Sequence, residues 1–155
     1  MTHPLTARLR DEHAAMQEFL ELLEEEQAFL VQGDADRVAG GLERKSRLLE
    51  ILARHAEQRK AFLVSQQVAA DRKGMDAWIA AQPAAETLAA EWHELLDITH
   101  QAWRANQSNG ALIATHLQAN QQALAALAAA GRTGSLYGRD GQTMNPWGSR
   151  TLGAA

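Results

Sequence analysis

His93, Asp97 and His100 stand at i, i+4 and i+7, a spacing that puts all three on one face of a helix. Two imidazoles and a carboxylate are plausible ligands for a divalent metal. The di-metal sites of helical bundles, however, use two Glu-x-x-His motifs and two further glutamates. Here Asp97 to His100 is the one carboxylate-x-x-His match. The set reads as a solvated polar face, and no metal, cofactor-binding or catalytic residue is expected. Cysteine is absent, which removes disulfides, Cys-zinc sites and thiol catalysis. Nucleophilic chemistry has no G-x-S-x-G elbow, and phosphate binding has no Walker or G-x-G-x-x-G loop. Gly138-Arg139-Asp140-Gly141 is turn-like but lacks a strand or helix to frame a phosphate cradle. Asn106-Gln107-Ser108 has the form of a glycosylation sequon, and inside a helix of a protein with no visible secretion signal it reads as chance. Trp92 and Trp103 fall on or beside an apolar stripe and are expected in the core; Trp78 fits core or rim. Trp147 and Tyr137 lie in surroundings that cannot bury them, which favours contact with a partner.

The elements that carry these residues are helical. The chain has 155 residues, enough for one domain. It holds 31 alanines and 20 leucines against four valines and four isoleucines, a composition that favours helices over pleated sheets. Leu5, Leu9, Met16, Leu20, Leu23 and Leu30 recur at helical steps and predict a first helix over about 3–32. Its seven acidic residues face only Arg8 and Arg10. Gly33-Asp34 supplies a stop and a new start. Val38, Leu42, Leu49, Leu52, Ala56 and Leu63, widened by Leu48, Ile51, His55 and Phe62, predict a second helix over about 35–70 that touches two neighbours. Gly40-Gly41 is expected to fray it rather than break it. Lys73-Gly74 is read as its end, followed by two short turns over 75–81 and by Pro83 in the first turn of the next helix.

A third long helix is expected over about 84–130, roughly 70 Å at about 1.5 Å per residue. Leu88, Trp92, Leu95, Thr99, Ala102, Asn106, Asn109, Ile113, His116, Asn120, Ala123 and Leu127 alternate steps of four and three. The phase survives the turn-like Asn106-Gln107-Ser108-Asn109-Gly110, so Asn109 and Gly110 are predicted helical. Small and polar residues at this seam allow close helix approach, or fix register at a cost in stability. The fold class is therefore all-α: an antiparallel bundle of three long helices, coiled-coil-like, with a short extra helix, the last long helix overhanging. The bundle domain spans 1–131, with Gly131 read as a cap. A flexible glycine-rich tail spans 132–155, carries a charge of +2 and keeps Leu136, Tyr137, Met144, Trp147 and Leu152. Such a segment is expected to order on a partner.

Charge and hydropathy narrow the function. Fifteen basic against 19 acidic residues give a net charge of −4, which argues against a nucleic-acid binder. No run of eighteen apolar residues exists for a membrane span, and Met1-Thr2-His3-Pro4-Leu5 shows no secretion signal. The residues alone reach an all-α binding module with a sticky tail.

The whole chain resembles the FlgN family, flagellar type III export chaperones for the hook–filament junction proteins. The resemblance is carried by the leucine-rich first helix before Gly33-Asp34 and by Lys45, Leu48-Leu49, Leu52, Arg59 and Leu63 in the second. The more specific matches are Asn106-x-x-Asn109-Gly110-x-Leu112-Ile113 and the tail Leu136-Tyr137-Gly138-x-Asp140-Gly141-Gln142, ending in Ser149-Arg150-x-Leu152-Gly153. Met144 to Gly148 does not match the family's pattern. The resemblance implies a cytoplasmic, non-enzymatic chaperone that binds the C-terminal helical region of the hook-associated proteins FlgK and FlgL. It also implies docking on the export gate protein FlhA through Tyr137. Cargo contacts are expected at Leu124, Leu127, Leu136, Trp147 and Leu152, and the protein is expected to be a monomer or weak homo-oligomer. A self-associating scaffold bundle is the competing reading, and a metal-dependent bundle enzyme resting on His93, Asp97 and His100 is a third.

Overall fold

A computed structural model describes residues 3–136. Five helices follow one another: α1 (Pro4–Gln32), α2 (Ala35–Gly40), α3 (Leu42–Ser65), α4 (Arg72–Ala80) and α5 (Ala85–Leu136). No strand occurs among the described residues, so the all-α helical bundle is the fold. The chain divides into two compact units, residues 1–113 and residues from 114 on.

Local chemistry sets the helix ends. His3 caps α1: its imidazole Nδ1 accepts from the Leu5 amide at 3.1 Å, and Pro4 follows at the position where a missing N–H costs nothing. Gly33 closes α1 at φ 71°, a left-handed conformation that suits glycine. The next amide, of Asp34, reaches back to the Phe29 carbonyl at 2.9 Å. The Asp34 carboxylate then accepts from the Arg37 amide at 3.1 Å and starts α2. The predicted stop and restart at Gly33-Asp34 is thus a pair of reciprocal caps.

Several boundaries differ from the sequence expectation, including the end of the last helix, for which the sequence points to Gly131 as the cap, and its start, which lies two residues after Pro83. Gly40-Gly41 breaks the second helix instead of fraying it: α2 ends at Gly40 and α3 begins at Leu42. The Gly41 amide turns back to the Arg37 and Val38 carbonyls, a tightened final turn. That helix stops at Ser65, with Gln67 at φ 59°, and does not reach 70. Gly74 lies inside α4 and does not end a helix. The Asp71 carboxylate caps α4 by accepting from the Gly74 amide at 2.8 Å. A Cβ at Gly74 would stand 1.9 Å from the Ala69 carbonyl oxygen, so the incoming loop needs a residue without a side chain there. In the fifth helix, Asn109 and Gly110 are helical as predicted, and the helix runs through Gly131 to Leu136. The tail beyond, with Tyr137, Trp147 and Leu152, lies outside the described residues.

Within the first unit, side-chain pairs fix the helix directions. Arg10 bonds Glu91 and Gln27 bonds Ser108, so α1 and α5 run parallel. Glu12 bonds Arg59 and Glu26 bonds Lys45, so α3 runs antiparallel to both. The core between them is Leu5, Leu9, Phe19, Leu20 and Leu23 of α1, Leu48, Leu52 and Leu63 of α3, Met75, Trp78 and Ile79 of α4, and Leu88, Trp92, Leu95, Ile98 and Ala102 of α5. The expected stripe of α3 is narrower than read. Leu42 and Leu49 are exposed, while Leu48 and Leu52 turn inward.

Candidate partner-binding surface

Two ion pairs tie the helices at opposite ends of the first unit. Glu12 is buried, and its carboxylate takes both Arg59 Nε at 3.1 Å and Nη2 at 3.0 Å. This two-pronged geometry is strong for a guanidinium and a carboxylate. The same guanidinium lies 5.2 Å from the centre of the Trp92 ring, and the Trp92 indole N–H donates to Asp76 of α4 at 2.8 Å. One chain of contacts therefore joins α1, α3, α5 and α4. At the other end Lys45 donates to both oxygens of Glu26, at 2.9 and 3.1 Å. Glu26 also accepts from Asn109 Nδ2 at 2.8 Å, and Asn109 Nδ2 donates to the Leu23 carbonyl at 2.8 Å. The acidic face of α1, read from sequence as solvated, thus spends these two glutamates, and the exposed Glu25 with Arg44, on pairs with α3. Their partners Arg44, Lys45 and Arg59 stand far off in sequence, and no local pattern signals the pairing.

The apolar stripe of α5 is buried over its first half and exposed over its second. Leu88, Trp92, Leu95, Ile98 and Ala102 are buried. Thr99 and Asn106, read as part of that stripe, are exposed; Ile98 and the half-buried Ala105 occupy the inward positions instead. Beyond Asn109 no residue is buried up to Arg132. Leu117, Leu124 and Leu127 are 57%, 66% and 69% exposed. Ile113 is also exposed, and with Leu117, Leu124 and Leu127 it keeps a four-three rhythm through Asn120. Residues 105–131 contain no Asp, Glu, Lys or Arg. An uncharged helix face with large aliphatic groups facing water is a mark of an interaction surface.

The structure places two of the predicted cargo residues, Leu124 and Leu127, on this face. Leu136 is the last residue of α5. Tyr137, Trp147 and Leu152 fall outside the described residues.

Trp103, expected in the core, is 59% exposed. It follows Trp92 by eleven residues and so points almost the same way around the helix. Trp92 meets Arg59 and Asp76 from neighbouring helices, whereas the ring stacked on Trp103 is His100 of its own helix, at 6.1 Å and 15°. That stacking turns His100 to an aromatic neighbour. Among the described residues no group of three His, Cys, Asp or Glu is placed to hold a metal ion. A cavity of about 40 Å³ lined by Leu22, Glu26, Phe29, Val38 and Arg44 has room for a water or two, against the roughly 300–1,000 Å³ of a small-molecule site. None of the described helices is long and apolar enough to cross a membrane.

Comparison with known proteins fits this geometry. No curated protein matches the chain. Among solved structures, a crystal structure of a Pseudomonas aeruginosa protein assigned as flagella synthesis protein FlgN matches with a TM-score of 0.66 and 23% identity. The match covers 73% of this chain and 89% of that one. At that identity the likeness concerns the fold. The model of the FlgN protein family matches residues 1–145, which takes in all five helices and Tyr137, and the chain therefore belongs to the FlgN family of flagellar proteins.

Proposed function

We propose that this protein is a cytoplasmic, non-enzymatic export chaperone. It holds the C-terminal helical region of the hook-associated proteins FlgK and FlgL, keeps them unassembled and delivers them to the flagellar type III export gate. The observation that supports the reading is the uncovered apolar face of α5 with Leu117, Leu124 and Leu127. An amphipathic cargo helix carries anchors at i, i+3, i+4 and i+7 and needs such a counterpart. The lack of charge from residue 105 to 131 suits cargo whose matching stripe is itself apolar, and it leaves binding weak enough in electrostatic terms to be released at the gate. Leu136, Trp147 and Leu152 extend the apolar contact from the tail. Tyr137, an aromatic with a polar tip, serves docking on FlhA.

Isothermal titration of FlgK and FlgL C-terminal segments and of the FlhA cytoplasmic domain tests both surfaces. Leu124→Glu with Leu127→Glu is expected to weaken cargo binding by about thirtyfold or more, the loss of a well-buried anchor of about 2 kcal/mol. Its melting temperature is expected to stay at the wild-type value. Tyr137→Ala is expected to hold cargo affinity within a few-fold and to weaken gate binding about tenfold. Cargo binding untouched by the double substitution removes the α5 face from the site. Loss of cargo rather than gate binding in Tyr137→Ala reverses the second assignment.

A further inference from the structure

Asn109 is 1% exposed, and its Oδ1 is buried without a hydrogen-bond partner. A buried polar atom left unpaired costs stability, so the oxygen offsets part of what the Asn109 amide contributes and leaves a tie that is easily given up. Asn109 Nδ2 donates to the Leu23 carbonyl and to Glu26, yet neither acceptor depends on it. Glu26 retains both contacts with Lys45, and the Leu23 carbonyl sits within α1, where the helix supplies its own donor. Removing the Asn109 amide would orphan nothing.

The surroundings show what the side chain does. Up to Ala102, α5 is held by Leu88, Trp92, Leu95 and Ile98, all in the core. From 103 to 113 the one buried residue is Asn109 itself, with Ala105 and Leu112 half-buried. A second tie on this stretch is polar too, Gln27 Nε2 donating to Ser108 Oγ at 3.1 Å. Hydrogen bonds can be exchanged for bonds to water at small net cost, whereas buried leucines cannot be exposed cheaply.

We propose that the Lys45–Glu26–Asn109 chain is a releasable latch. It holds residues 103–113 of α5 on α1 by polar contacts, so that this stretch opens as a local unit while the core around Leu88 to Ala102 stays closed. The latch belongs to the bundle itself and does not depend on the cargo reading.

Native-state amide exchange on the full chain tests it, since local opening is read as exchange faster than the global limit. In the wild type, amides of 103–112 are expected to exchange at least about tenfold faster than those of 88–102. Asn109→Ala is expected to speed 103–112 by a further factor of about five or more, with 88–102 held within about twofold. The chain has no cysteine, so Gln27→Cys with Ser108→Cys, joined by a bifunctional thiol cross-linker that spans the length of the lost glutamine side chain, gives a specific staple, expected to slow 103–112 to the rate of 88–102. Three results overturn the proposal: both stretches exchanging together in the wild type, Asn109→Ala leaving 103–112 unchanged, or Asn109→Ala speeding both stretches equally. The wild-type and stapled proteins decide the matter even if Asn109→Ala folds poorly.

Discussion

The two halves of α5 share one rhythm and opposite fates. Leu88 and Leu95 are 0% and 2% exposed, while Leu124 and Leu127 are 66% and 69% exposed. The steps of four and three run through both, so periodicity alone does not separate them. What differs is the supply of partners. The first half meets leucines and aromatics of α1, α3 and α4. The second half is alanine-rich, has no Asp, Glu, Lys or Arg up to Gly131, and buries none of its side chains up to Arg132. An apolar stripe states that a helix has a face to cover. It does not state that the same chain covers it.

The largest expected effect comes from the ion pair that anchors the covered half. Arg59→Ala leaves the Glu12 carboxylate buried and unpaired and removes the cation from the Trp92 ring. A loss of about 3–5 kcal/mol is expected in urea unfolding, while Arg47→Ala, which breaks an exposed pair with Glu43, is expected to change stability by at most about 0.5 kcal/mol. Replacing Glu12 and Arg59 together by Leu and Met should restore much of the loss; failure to do so would mean that the guanidinium stem packs the core as well.

Next in size is the direct contrast of leucines. Leu88→Ala is expected to cost about 2–5 kcal/mol, through lost burial and the cavity left behind. Leu124→Ala, the same change on the same helix, is expected to stay within about 0.5 kcal/mol. Equal losses at both sites would show that the second half of α5 is covered in solution, and would recast the comparison.

The smallest effect is expected at Trp103. Its ring stacks on His100 and faces water, so Trp103→Ala should shift the unfolding midpoint by no more than about 0.5 kcal/mol. Its indole fluorescence, read in a variant that keeps Trp103 alone, should already be solvent-like in the folded state. A blue-shifted native spectrum would mean that Trp103 is covered and that the sheltered half of α5 has a wider contact face.

By itself the sequence determined the helical class, the order of the long helices, the stop and restart at Gly33-Asp34, and the unbroken passage of α5 through Asn109 and Gly110. These follow from local chemistry: helix-forming composition, capping side chains and a preserved heptad phase. The resemblance carried by Lys45, Arg59 and the Asn109-Gly110 segment also led to the family. Tertiary structure decided the rest, because each remaining point depends on residues far apart in the chain. Gly40-Gly41 breaks where the turn folds back on α2. Gly74 sits inside a helix because the loop at Ala69 passes against it. Trp92 is buried and Trp103 is not, since Arg59 and Asp76 reach only the first. Glu12 and Glu26 find cations 47 and 19 residues away. The exposure of Leu124 and Leu127, on which the proposed binding face rests, was likewise beyond the sequence, which records apolar residues and their spacing but not which of them the folded chain has neighbours to cover.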